Sequence, residues 1–420
     1  MTLLVLNRRP IVDRIPGWLA DLGEDLVLVT AASALRSGAP EPAGYRQVTV
    51  VEDYDHPDVE QALVEIGRKH RVRRIIGTTE IDVLRAARVR QRLGLPGQNL
   101  DSARAYRDKH RMKTIAAAAG VPVAAMRLLG RVAELDDFVA TNGLPCVVKP
   151  VSGAGSVGVQ VLSDQVAVRR FVAEHAGSAP DRFLVESWVA GPVYHVDGLM
   201  AGGRVLQCWP SRMRYPNLDA VTHSRPFISW MLPAADRTGQ RLRDLMATVV
   251  AALPAPAEAT AFHAEVFHCP DDRLLLCEIA CRPGGGGIVP TYERALGVNL
   301  YAASLRGQAG EDPSAVAGQV EPRQLAGFGW FAPKRGRLLS VPDNCPIPGV
   351  YRYAASGRPG TRYQGARSIS DNIAKILLAG PADEDLDERM ARLESWWDDS
   401  CDWLPPEEDA VRHAVGNSAR

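Results

Sequence analysis

Two glutamates in the stretch AFHAEVFHCPDDRLLLCEIACRPGGGG, residues 261–287, carry the most legible chemistry in this chain. Alternation puts His263, Glu265 and Phe267 on one face of a strand, and Leu276, Glu278, Ala280 and Arg282 on one face of the next. A two-residue turn at Asp271–Asp272 would set Glu265 directly opposite Glu278. Like charges in that position destabilise a hairpin, unless a cation sits between them. Magnesium, which keeps waters and shares substrate phosphates, suits two carboxylates, with manganese as a substitute. The bland alternative is a pair of splayed surface glutamates whose register a bulge has shifted. Arg282 shares the face, and its planar guanidinium suits an acyl phosphate or a salt bridge to one of the glutamates. Gly284 to Gly287 expose backbone N–H groups beside it, a carboxylate nest with Gly285 as substrate contact.

A second stretch, VVKPVSGAGSVGVQV (147–161), matches the spacing GxGxxG. That fingerprint needs a helix after the glycines to meet a pyrophosphate. Here Val157, Val159 and Val161 alternate instead, which predicts a strand. A Walker loop needs its lysine after the glycines, and Lys149 comes before them. What remains is a pair of antiparallel strands joined by a small-residue flap. Backbone amides of Ser152 to Ser156, including Gly153 and Gly155, fold over a triphosphate while Lys149 supplies a point charge. A surface hairpin with a flexible tip is the alternative.

The segment resembles the K-P-x-x-G-x-G-S-x-G motif of the ATP-grasp superfamily. The resemblance implies ATP, a second phosphate lysine on an earlier helix, and an adenine hinge on a later strand. Lys109 in YRDKHRMK matches that lysine, with Lys113 one turn on as a substitute. FLVESWVAG (183–191) matches the hinge: Glu186 accepts from the adenine amino group, and the backbone of Trp188 and Val189 pairs with the ring edge. Val193 stands where the family often has a ribose-binding glutamate, and His195 is a candidate replacement. The family's E-I-N-x-R reads Glu278-Ile-Ala280-Cys-Arg282 here, so the metal shell loses its asparagine. That departure, His263-Ala-Glu265 and FAPKRGRL (331–338) resemble the dipeptide-forming L-amino-acid ligases.

The implied fold is α/β with α+β subdomains: an N-terminal parallel domain (1–105), a lid with flap and hinge (106–202), a catalytic subdomain (203–325) and a C-terminal subdomain (326–420). The implied activity is an ADP-forming carboxylate–amine ligase working through an acylphosphate, with Lys149 and Arg282 as catalytic residues. A carboxylase-type enzyme activating bicarbonate, or a nucleotide-binding protein without turnover, are the competing readings. CWPSRMRYPNLDAVTHSRPF (208–227) supplies Arg212, Arg214, Tyr215, His223 and Arg225. There Arg214 suits an amino-acid carboxylate and His223 an incoming amine, against a solvated basic loop.

These groups need a scaffold. LLVLN (3–7), DLVLVT (25–30), QVTVVED (47–53) and RRIIGTTE (73–80) read as strands alternating with helices at 57–70 and 81–94, hence a parallel sheet. LPGQN (95–99) breaks that pattern, and further helices are expected at 107–120, 165–176, 236–253 and 383–397. Acidic and basic residues balance at 49 each, which advertises no polyanion-binding face. Seven irregularly spaced cysteines without a CxxC pair argue for a reducing compartment. The short apolar start is followed by arginines, unlike a secretory signal, so the expected location is the cytoplasm. The expected partners are small-molecule carboxylates and amines, amino acids first, with neither nucleic acid nor membrane; a homodimer is the one assembly entertained.

Overall fold

The computed structural model describes residues 1–406 apart from 36, 37, 39, 154, 177–182, 313–317, 319, 320, 369, 370 and 382–384, and apart from the side chains of 219–221 and 386. The first four strands form one parallel sheet in the order Gln47–Val51, Asp25–Ala31, Thr2–Asn7, Arg74–Gly77. The near-continuous apolar runs of Thr2–Asn7 and Asp25–Ala31 follow from burial on both faces. Leu4, Leu6, Val27 and Val29 pack beneath the helices Asp58–Lys69 and Glu80–Leu93. Leu3, Val5, Leu26 and Leu28 meet Leu305 and Ala309, which come from the end of a helix far later in the chain, Leu300–Gln308. The strand expected over 73–80 stops at Gly77, because Thr79 caps the next helix in a capping box with Asp82.

A small antiparallel sheet follows the helix Lys109–Ala118, in the order Met126–Leu129, Phe183–Ser187, Cys146–Pro150, Gln160–Leu162. Helices Glu134–Asn142 and Gln165–His175 bury Phe138, Val168 and Phe171 against it. The glycine stretch joins two of its strands, as expected, but the second strand is shorter than the alternation of valines suggests. Pairing reaches back only to Gln160, Val157 is largely exposed, and Ser156 and Gly158 take positive φ. Residues 157–159 therefore belong to the flap.

The largest sheet has eight strands, ordered Leu274–Ala280, Thr260–His268, Val193–Ala201, Arg204–Met213, Phe227–Met231, Leu325–Phe331, Ala374–Gly380, Val350–Ala355. This corrects two expected boundaries. A cut after 202 falls inside the hairpin pairing Val193–Ala201 with Arg204–Met213. A cut after 325 splits a strand that pairs with both Phe227–Met231 and Ala374–Gly380. Arg335–Leu338, Arg362–Gln364 and Trp403–Leu404 form a separate minor sheet. The final described helix, Leu386–Ser400, is anchored by Trp397 stacking on Phe331 with ring centroids 4.4 Å apart. No described helix is long and apolar enough to cross a membrane.

Candidate active site

Glu265 and Glu278 are direct partners across the hairpin. The expected register is reached by a different route. Cys269 and Arg273 close a tip of Pro270, Asp271 and Asp272, with Asp272 at φ +64°, the usual three-residue loop with a left-handed last residue. That loop shifts the pairing by one, and a bulge between Val266–Leu276 and Glu265–Glu278 shifts it back. Cys277 is the extra residue and lines the cavity beside Glu278. The bulge also turns Leu276 to the other face, where it packs with Val266 and Ile279 rather than sharing the glutamates' face.

The two carboxylates are held separately. Lys109, at the first position of its helix, sets its ammonium 2.9 Å from Glu278 and donates to the Gly153 carbonyl of the flap at 2.7 Å. Burial alone would raise the Glu278 carboxyl, but Lys109, Lys149 and Arg282 outweigh it and hold it at about 2. Glu265 accepts from the Asn217 amide at 2.7 Å, and His263 Nε2 lies 3.5 Å away. His263 in turn bonds Asp197 at 2.9 Å, and Asp197 bonds His195 at 2.5 Å. Burial would neutralise His263, yet the Asp197 charge prevails and raises it to about 10. His195, expected as a ribose contact, ends this buried chain on Ser229 at 2.6 Å and is 2% exposed. It does not line the main cavity, so that role is withdrawn.

At the hinge, Glu186 sits between two ammonium groups, Lys113 at 2.5 Å and Lys149 at 2.8 Å. All three side chains are buried. Glu186 still lines the cavity, but each of its carboxylate oxygens already holds a lysine, which the sequence did not lead one to expect. Lys113 is likewise no substitute for Lys109: it is fully buried behind the hinge. Lys149 does face the cavity, with Ser156, Gly153 and Gly155 of the flap; Ser152 offers its carbonyl to Arg107 at 2.6 Å. Trp188 and Val189 line the same cavity, but the Trp188 N–H donates to the Pro145 carbonyl at 3.2 Å, which removes that donor from the hinge.

Arg282 lies just past the strand end and bonds Glu80 at 2.6 Å rather than a hairpin glutamate. Glu80 opens the helix Glu80–Leu93 and is also held by Arg107 at 2.5 Å. Gly285 lines the cavity next to Arg282. Its neighbours are glycine for packing reasons: a Cβ at Gly284 would stand 2.5 Å from Asp197 Oδ1, and one at Gly287 2.4 Å from Phe328 Cγ. The basic cluster goes elsewhere. Arg214 and Tyr215 bind Glu394 at 2.9 and 2.8 Å, Arg225 approaches it at 3.7 Å, and Arg212 meets Asp387. His223 is exposed and bonds Thr222. Neither Arg214 nor His223 reaches the cavity; Pro216, Asn217 and Leu218 line it in their place.

All of these lining groups surround one cavity of about 650 Å³, ample for a nucleotide and a small substrate. No family model matches the sequence. The L-arginine-specific L-amino acid ligase of Bacillus subtilis is 24% identical over 280 residues, 65% of this chain and 67% of that protein. An L-amino acid ligase from Bacillus licheniformis superposes with a TM-score of 0.75 at 16% identity, covering 96% of this chain and 98% of that one. The biotin carboxylase domain of Hydrogenobacter thermophilus 2-oxoglutarate carboxylase, solved with MgADP, ADP and bicarbonate, reaches 0.67 at 17% identity over 96% and 90%.

Proposed function

We propose that this chain is an ADP-forming carbon–nitrogen ligase of the ATP-grasp type that joins two amino acids by a peptide bond, a reading supported by its likeness to L-amino acid ligases in sequence and in fold. The observation that carries this reading is the facing pair Glu265–Glu278 in a cavity that Lys109, Lys149 and Arg282 also line. A hard divalent cation fits these residues. Two carboxylates supply oxygen, and the Asn217 Oδ1 beside them is buried with no hydrogen-bond partner. An orphaned oxygen acceptor next to a carboxylate pair is what magnesium or manganese would satisfy. Glu265, Glu278 and Asn217 would hold the ion, and its chemistry there is to draw charge from the transferring phosphoryl oxygens.

ATP is the co-substrate, and the flap, Lys149 and Lys109 surround its phosphates. One substrate's carboxylate oxygen displaces ADP at the terminal phosphorus, giving an acylphosphate. The amine of the second attacks the acyl carbon, inorganic phosphate leaves, and the amine loses a proton. Arg282, held by Glu80, is aimed at the charge that gathers on the acyl phosphate. The flap closes off water that would hydrolyse it. Catalysis is therefore positioning and electrostatics.

Mass spectrometry of products from pooled amino acids, ATP and magnesium tests the reading. Peptides should appear with ADP, and Glu278→Ala should abolish magnesium-dependent phosphate release. Phosphate release that depends on bicarbonate instead of amino acids would support a carboxylase and defeat the proposal.

A further inference from the structure

Three of the six lysines line the main cavity, and they are not equivalent. Lys109 and Lys149 hold carboxylates at 2.9 and 2.8 Å, as Arg282 holds Glu80 at 2.6 Å. Lys375 has no carboxylate partner among the described residues. Its ammonium lies 4.7 Å from the centroid of the Trp330 ring.

Contacts connect the reacting end to Lys375. Gly286, four residues past Arg282, abuts Phe227: a Cβ added there would stand 3.0 Å from the Phe227 ring. Phe227 pairs with Trp330, and Trp330 with Lys375, across three neighbouring strands of the large sheet. Directly paired residues share a face, so the three form a row along one cavity wall. Ile288 and Phe328 pack into the same apolar patch. The carboxylates lining the cavity are Glu80, Glu186, Glu265 and Glu278, and each is already held, by Arg282, by Lys113 and Lys149, by Asn217 and by Lys109 respectively. Among the described residues, the aromatic row thus offers apolar surface and one cation without a carboxylate partner, and no acidic side chain on it to receive an ammonium.

We propose that this end of the cavity binds the amino acid that supplies the amine. Its large apolar side chain lies on Phe227 and Trp330, and its free carboxylate meets Lys375. The inference rests on the ligase reading. The charge accounting follows from the reaction: the activated partner loses its carboxylate to the new bond, whereas the amine-bearing partner keeps one throughout. That retained charge requires a cation not already neutralised. Arg9, the other lining cation outside a salt bridge, belongs to the N-terminal sheet unit and not to the aromatic row.

The test varies the amine-bearing partner against a fixed carboxylate partner, with the full chain, ATP and magnesium. Phenylalanine and leucine should exceed glycine and serine in kcat/KM by about 10–200-fold. Phenylalaninamide, which keeps the amine and ring but lacks the carboxylate, should fall about tenfold or more below phenylalanine. Lys375→Met should reduce phenylalanine to the level of its amide while leaving the amide's own kcat/KM and the KM for ATP in place. Lys375 is exposed, so this variant should fold. Equal losses for acid and amide would overturn the role of Lys375. A preference for small or charged amine partners would overturn the aromatic subsite. If no amino acid supports ADP release at all, the ligase reading fails and takes the inference with it. Trp330→Ala gives a second, independent check: it should lower kcat/KM for phenylalanine far more than for glycine.

Discussion

The Glu186 carboxylate lies between two buried lysines that the sequence did not place beside it. One buried anion between two buried ammonium groups is a structural charge cluster first and a ligand contact second. Removing the anion leaves two cations desolvated without a partner, so Glu186→Gln should cost about 3–5 kcal/mol in urea unfolding. The pH dependence has a definite sign. Burial would raise this carboxyl, but Lys113 and Lys149 depress it from 4.5 to about 2. Its stabilisation is therefore complete above about 4.5 and is lost as pH falls through about 2. The stability gap between wild type and Glu186→Gln should narrow between pH 5 and pH 3, and a constant gap would contradict the cluster. Asn217 allows a second residue-level prediction. Asn217→Leu should weaken Mn²⁺ binding by about tenfold or more in electron paramagnetic resonance titrations without nucleotide turnover. Lys109, Lys149, Glu265, Glu278 and Arg282 were legible because their types recur at motif spacing. Asn217 and Glu80 were not, because only long-range packing brings them to the cavity.

The hairpin illustrates how an element can be read correctly from an incomplete account of its parts. Its glutamates face each other because a longer tip and a one-residue bulge cancel, and neither leaves a clear mark in the alternating pattern. The cost of the bulge is visible in Leu276, whose expected face was wrong. The basic segment 208–227 failed for the opposite reason. Its arginines had a plausible spacing for a substrate carboxylate, but the helix carrying Glu394, 180 residues from Arg214, draws them away: Glu394 takes Arg214 and Arg225, and Asp387 takes Arg212. The glycine run after Arg282 has the clearest element-level consequence. Gly287 packs on Phe328 so closely that a methyl group would overlap the ring. Gly287→Ala should thus destabilise the fold by about 1–3 kcal/mol, seen as a lower urea midpoint with an unchanged slope. Gly285, with open space where its Cβ would be, should accept alanine with no comparable loss, which separates packing from backbone effects.

At the scale of the whole molecule, the site is assembled from three sheets, and one contact ties the first to the last. Glu80 begins a helix of the N-terminal parallel unit, yet it holds Arg282 from the edge of the eight-stranded sheet and Arg107 from the segment leading into the lid. Burial would raise the Glu80 carboxyl, but Arg282 and Arg107 lower it, so it stays ionised as the hub of a buried network. The parallel unit was legible from strand and helix alternation, but its contribution of Glu80 to the cavity was not, since nothing near Glu80 in sequence marks it. On the proposed ligase reading Glu80 acts through Arg282, so its substitution should disturb aim more than binding of nucleotide. Glu80→Gln keeps the shape and removes the charge; it should lower kcat for peptide formation about tenfold or more while the KM for ATP changes little. Uncoupling gives a readout that a purely structural role would not: ADP release without peptide should rise as a fraction of turnover, because a poorly held acylphosphate is hydrolysed. Glu80→Asp, which restores the charge one methylene short, should recover part of the coupling. If Glu80→Gln instead lowers ADP release and peptide formation in equal proportion, Glu80 braces the interface between sheets and does not aim Arg282.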